Sequence, residues 1–140
     1  MKMFFTVTKR SLSVTLFGMT AIFLIFFWSS SLKIQAIDGS THANRMLYIN
    51  GLGIDVDEEK CTSKETVIPE EFGDVYERYN ELQLESGFDL SGFKGERVTV
   101  YSYPLKTGKT VLTLLVHNGE IIGGDIAEIG VNGKMIPLGK

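Results

Sequence analysis

The sequence predicts an α+β protein: an N-terminal transmembrane helix, then two helices packed on a three- to four-stranded antiparallel meander. Three observations predict it. Met1 to Ile37 holds Lys2, Lys9, Arg10 and Lys33 and no acid, for +4, while the remaining 103 residues carry 10 basic and 17 acidic residues, for −7. The 22 residues between Arg10 and Lys33 carry no charge at all. Beyond Gly95 the apolar period changes from helical to two, with Asn-Gly pairs at Asn118-Gly119 and Asn132-Gly133. The chain-average charge of −3 hides the first of these.

Residues 1–11 are expected as a cytoplasmic N-terminus and 12–31 as the membrane segment. Leu12 to Trp28 contains only Ser13, Thr15, Gly18 and Thr20 as non-apolar positions. As a helix, the uncharged stretch extends about 33 Å, enough for a hydrocarbon core of roughly 30 Å. Phe23 to Trp28 is apolar on every face, as lipid requires, and Trp28 suits the headgroup level. Lys2, Lys9 and Arg10 outnumber Lys33, so the positive-inside bias sets a single pass in the cell membrane with everything after Ser31 outside. The competing expectation is secretion after cleavage, with Ser29-Ser30-Ser31 supplying small residues. The apolar stretch is long for a signal peptide, so an uncleaved signal anchor is the reading taken, and the bilayer is the first expected partner, through residues 12–31. Residues 32–40 read as a short linker holding an extracytoplasmic domain, 41–140, close to the lipid surface. Cys61 is the only cysteine, so the domain has no internal disulfide.

Within that domain, Ser40 or Thr41 is a candidate N-cap for a helix through Asn50, with Ala43, Met46 and Leu47 on its apolar face and Gly51 or Gly53 as the stop. Ile54 to Asp57 alternates apolar and acidic residues as a short strand would. Glu58 to Glu65 reads as a polar loop, and Thr66 to Ile68 as extended before Pro69. Pro69, Glu70 and Glu71 open a second helix whose stripe is Phe72, Val75, Tyr76, Tyr79 and Leu82, stopped by Gly87. Phe88, Leu90 and Phe93 plug the core from a turn-rich connector. Strands are expected at Arg97–Tyr103, Thr110–His117, Glu120–Ile126 and Lys134–Leu138, with both helices covering one face.

Few chemistries fit. A domain at −7 with singly scattered cations lacks the clustered Lys and Arg that a nucleic acid needs, so no nucleic acid is expected. Lys106-Thr107-Gly108-Lys109-Thr110 is not a phosphate loop, because position 103 is tyrosine where the motif needs glycine. Asp55, Asp57, Glu58 and Glu59 fail the calcium-loop spacing at Lys60 and Thr66. Cys61 sits among Glu58, Glu59 and Glu65, whose charge disfavours a thiolate. Neither a metal nor a cofactor is expected. Gly123 and Gly124 fit a bulge or a close backbone approach, and Asp125 beside them would be aimed out of the sheet. Tyr76, Tyr79, Tyr101 and Tyr103 would line a groove or rim the core.

The run Tyr79-Asn80-Glu81-Leu82-Gln83, then Gly87-Phe88-Asp89-Leu90, Gly95, Tyr101-Ser102-Tyr103 and Ile122-Gly123-Gly124-Asp125-Ile126, resembles a family of small membrane-anchored extracytoplasmic proteins of Gram-positive bacteria. Ile68-Pro69-Glu70-Glu71-Phe72 fits the same pattern, and the likeness covers Thr41 to Leu138. That family is defined only as a domain of unknown function. The resemblance implies an extracytoplasmic domain behind one anchor and carries over no catalytic residue.

The expected function is a membrane-anchored extracytoplasmic binding module whose partner is an envelope protein or peptide. Asp125, Gly123, Gly124, Tyr101, Tyr103, Asn80 and Gln83 are its candidate interaction residues. The alternatives are an envelope-associated enzyme using the carboxylates of Asp125, Glu120 and Asp89, and a peptidase inhibitor or regulator.

Overall fold

The computed structural model describes residues 36–130 and 133–139. Among them no helix is long and apolar enough to cross a membrane, and the expected span at 12–31 lies outside them. The architecture of the described residues is α+β, with two helices and one six-stranded, wholly antiparallel sheet. In chain order the elements are β1 (Ile37–Asp38), α1 (His42–Gly51), β2 (Thr62–Val67), α2 (Asp74–Glu85), β3 (Arg97–Pro104), β4 (Thr110–His117), β5 (Glu120–Glu128) and β6 (Met135–Pro137). Single 3₁₀ turns lie at Glu58–Lys60 and Leu90–Phe93.

The sheet runs β1-β5-β4-β3-β2, with β6 also on β5. It is wider than the three or four strands expected, because two of its strands, β1 and β2, carry no usable pattern. β1 has two residues and recruits Ile37 and Asp38 from the expected linker. β6 has three. β2 has six residues, all exposed and mostly polar, including the Thr62–Glu65 stretch expected as loop. Backbone pairing with β3 holds it, not burial. Ile54–Asp57 contributes only one isolated bridge, Val56 with Leu105.

The hairpin at Asn118-Gly119 forms as the sequence suggests. Both residues have positive φ, 49° and 85°, the pair of left-handed conformations that a two-residue primed turn requires. Asn132 lies outside the described residues, yet β5 and β6 pair antiparallel on either side of it.

The helices cover opposite faces of the sheet, not the single face expected. Side chains alternate along each strand, and two apolar clusters result. Tyr103, Leu112, Leu114, Val116 and Ile121 face Ile49 of α1, with Met46, Tyr48 and Leu52 packed around them. Val98, Leu115 and Ile122 face the other way with Ile68 and Leu90, beneath Phe72, Tyr76 and Tyr79. Phe88 and Phe93 do plug the core as expected, but into different clusters.

Both helices depart from the sequence reading at one point. In α1 the N-cap is Thr41, whose Oγ1 accepts from the Asn44 amide at 3.2 Å. Its buried residues are Arg45 and Ile49, whereas Leu47 is 74% exposed. The face is rotated because Arg45 is buried with partners, an outcome that hydropathy counts against. In α2 the helix begins at Asp74 rather than Pro69. The Gly73 carbonyl accepts from the amides of Tyr76 and Glu77, so the preceding residues enter as an irregular segment that swings Phe72 to 4.8 Å from the Tyr76 ring. Gly87 ends the helix at φ 84°, its amide bonded to Leu84 O and that of Phe88 to Gln83 O, the paired bonds of a Schellman cap.

Candidate functional site

A gap in the sheet organises the site. On the edge of β5 away from β4, β1 pairs with residues 120–121 and β6 with 125–127, leaving the Ile122–Gly124 stretch without a strand among the described residues. Opposite the gap the β4–β5 register shifts between Leu115 and Val116, so Ile122 is an extra residue and β5 bulges. Gly124 cannot carry a side chain there. A Cβ would stand 2.5 Å from both Thr113 O and Leu138 Cδ1. At Gly123 it would stand 2.9 Å from Gln83 Oε1.

Gln83 fills the gap. It is 0% exposed, and its Oε1 accepts the Gly124 amide at 2.8 Å, taking the place of a strand carbonyl. That bond fixes the orientation of the carboxamide, since the reverse would set two donors against each other. Its Nε2 is buried without a partner among the described residues. One helical turn earlier, the Tyr79 hydroxyl donates to Asp125 Oδ2 at 2.8 Å. Asp125 is 3% exposed. Burial raises its pKa, opposed by the Tyr79 hydrogen bond, and the Tyr79 phenol is itself pushed up by burial and then by the Asp125 charge.

Above this layer α2 and β6 enclose a groove of about 720 Å³ lined by Val75, Tyr76, Arg78, Tyr79, Leu82, Gly133 and Met135. Its volume lies within the roughly 300–1,000 Å³ of small-ligand and side-chain pockets. Val75 is 80% exposed there, so the expected core stripe of α2 is in part the wall of the groove.

The candidate residues thus separate. Gly123, Gly124, Asp125 and Gln83 come together, with Tyr79 as their link to the groove. Asn80 is turned aside: its Oδ1 accepts the Leu90 amide at 2.7 Å and its Nδ2 donates to Asp89 Oδ1, which also accepts the Ser91 amide. Tyr101 and Tyr103 lie on the opposite face with Arg45, which is 6% exposed. Arg45 Nε donates to Tyr103 Oη at 2.9 Å and Nη1 to Gly39 O at 2.8 Å, and the guanidinium lies 3.6 Å from the Tyr101 ring centroid. Burial pushes the Tyr103 phenol up to about 12. Glu120 is exposed at the start of β5, and Asp89 is exposed and occupied with its cap. Neither contributes to the shift of Asp125.

Arg45 and Met135 were not among the candidates, and neither carries a sequence signal beyond residue type. Gln83 does carry one, as a polar residue four positions after Tyr79 and seven after Tyr76 on a packed helix face.

The sequence matches, over residues 49–126, the family described as a domain of unknown function (DUF4830). The match runs from the end of α1 into β5 and takes in all of α2 and the Gly123–Asp125 stretch of β5, while Met135 falls beyond it. No curated protein and no solved structure matches the chain. Because the family match spans more than half of the 140 residues, the chain belongs to the DUF4830 family.

Proposed function

We propose that this chain is a membrane-anchored extracytoplasmic binding module, and that the groove between α2 and β6 is where it binds. The groove carries the reading: it is a largely apolar concavity with two tyrosines, Tyr76 and Tyr79, the second tied by its hydroxyl to a buried carboxylate, beside a helix whose outer residues are exposed. Anchoring through residues 12–31, with the domain outside, rests on the uncharged stretch between Arg10 and Lys33 and on the basic flank before it. The Gram-positive envelope rests on the family resemblance. A carboxylate enzyme has less support, because Asp125 is sealed beneath Tyr79 and no second carboxylate among the described residues perturbs it.

The single cysteine gives a direct test. In bacterial cells producing the full chain with Cys61→Ser and Lys64→Cys, a membrane-impermeant maleimide should label the exposed β2 thiol without lysis. A photo-crosslinking residue at position 75 should then give discrete adducts that the same residue at position 47 does not. Labelling only after lysis would overturn the topology, and identical adducts at both positions would overturn the groove.

A further inference from the structure

The occupant of the groove follows from the charge around it. Between Pro69 and Ser86 the chain carries Glu70, Glu71, Asp74, Glu77, Glu81 and Glu85 against one cation, Arg78, and all seven are exposed. The outer rim of the groove along α2 is therefore acidic within a segment at −5, on a domain already at −7. Exposed Lys134, between Gly133 and Met135, is the single cation that the described β6 wall sets against it. Such a field concentrates cations and repels anions at the groove mouth. It disfavours a second copy of this chain, which would bring two segments of −5 together, and it disfavours an anionic lipid headgroup.

We infer that the groove takes a basic amphipathic peptide segment, with apolar side chains between Val75, Tyr79, Leu82 and Met135 and Lys or Arg side chains turned to Asp74 and Glu81. Two further features fit a polypeptide. Arg78 lines the groove and makes no ion pair or hydrogen bond among the described residues, so its planar donors are free for backbone carbonyls of a bound chain. Among the described residues β6 pairs with β5 alone, leaving its other edge without a strand beside Met135. The inference rests on the groove being the binding site and adds the class of ligand.

The probe is a fluorescein-labelled amphipathic Leu/Lys peptide of about twelve residues, with Leu/Glu and Leu/Gln counterparts of the same apolar pattern. Anisotropy is read against the full-length protein in zwitterionic nanodiscs, with empty nanodiscs subtracted. The Leu/Lys peptide should bind saturably, and the Leu/Glu peptide at least about tenfold more weakly at low salt. Val75→Arg should weaken the Leu/Lys peptide at least about fivefold more than Leu47→Arg, which makes the same charge change on the other face of the sheet. Both positions are largely exposed, so both variants keep the fold, as circular dichroism would verify. Equal binding of the Lys and Glu peptides, still lost in Val75→Arg, would overturn the basic class and leave the groove standing. Equal effects of the two variants, or no saturable binding, would overturn the groove itself. A sedimentation mass that doubles, and reverts in Val75→Arg, would overturn the peptide in favour of self-association.

Discussion

Gln83 shows how one side chain substitutes for a strand. The amide of Gly124 lies where neither β1 nor β6 reaches, and a buried donor left unpaired costs about 1–3 kcal/mol. Gln83→Ala removes the acceptor and opens a cavity, so it should destabilise the domain by about 2–4 kcal/mol in urea unfolding followed by circular dichroism. Gln83→Glu keeps an acceptor but buries a carboxyl at a site that is 0% exposed, and should be no milder. A loss below about 0.5 kcal/mol in Gln83→Ala would mean that water reaches the Gly124 amide. Tyr79→Phe is the companion test, because it strips Asp125 Oδ2 of its donor. It should raise the Asp125 pKa further, read by carboxyl chemical shift against pH, and an unchanged titration would remove the hydroxyl from the account.

At the scale of elements, the bulge in β5 makes its two glycines unequal. The virtual Cβ of Gly124 meets a backbone oxygen, Thr113 O, which cannot rotate away, whereas that of Gly123 meets the far end of the Gln83 side chain and Leu90 Cδ2. Gly124→Ala should therefore cost about 1–3 kcal/mol and exceed Gly123→Ala in the same unfolding assay, and the reverse order would contradict the packing of β5 on β4. This also marks how far the sequence could be read. β3, β4 and β5 were legible because each is a run rich in Val, Ile, Leu, Thr and Tyr set between turn signals, and the Asn118-Gly119 turn because its chemistry admits few alternatives. β2 was not, since an edge strand of exposed Thr, Ser, Lys and Glu looks like loop until β3 is beside it. The rotated face of α1 was hidden for a different reason: Arg45 is buried by partners 58 residues away on β3, which no local window contains. The site was half legible. Gly-Gly-Asp marked the sheet side, but the Tyr79 and Gln83 contacts cross 46 and 41 residues. The groove needs Met135 of β6, a strand three residues long.

For the whole molecule, these opposing carboxylates predict an unusual response to acid. Asp38, Asp57 and Asp89 are held below the ordinary 3.8 by hydrogen bonds, from Ser40 and Asn44, from Lys60, and from Ser91 and Asn80 respectively. Each contributes stability that is present above 3.8 and is lost as pH falls through its lowered folded value. Asp125 is raised above 3.8 by burial, so its sign is opposite. Its contribution is complete below 3.8 and is lost as pH rises through the raised folded value. Descending from neutral, the folded state should first gain stability as Asp125 takes up a proton beneath Tyr79. It should then lose stability below about 3.8, as Asp38, Asp57 and Asp89 protonate. The melting temperature of the full-length chain should thus pass through a maximum in mild acid. It is best followed by circular dichroism, since the lone tryptophan, Trp28, belongs to the expected anchor. Asp125→Asn keeps an oxygen to accept from Tyr79 and removes the buried charge. It should melt higher than the native protein near neutral pH and lose that advantage at the acid maximum. Parallel profiles for the two proteins would show that Asp125 is equally solvated in the folded and unfolded chain. The buried Tyr79–Asp125 layer would then not be the floor on which the groove rests.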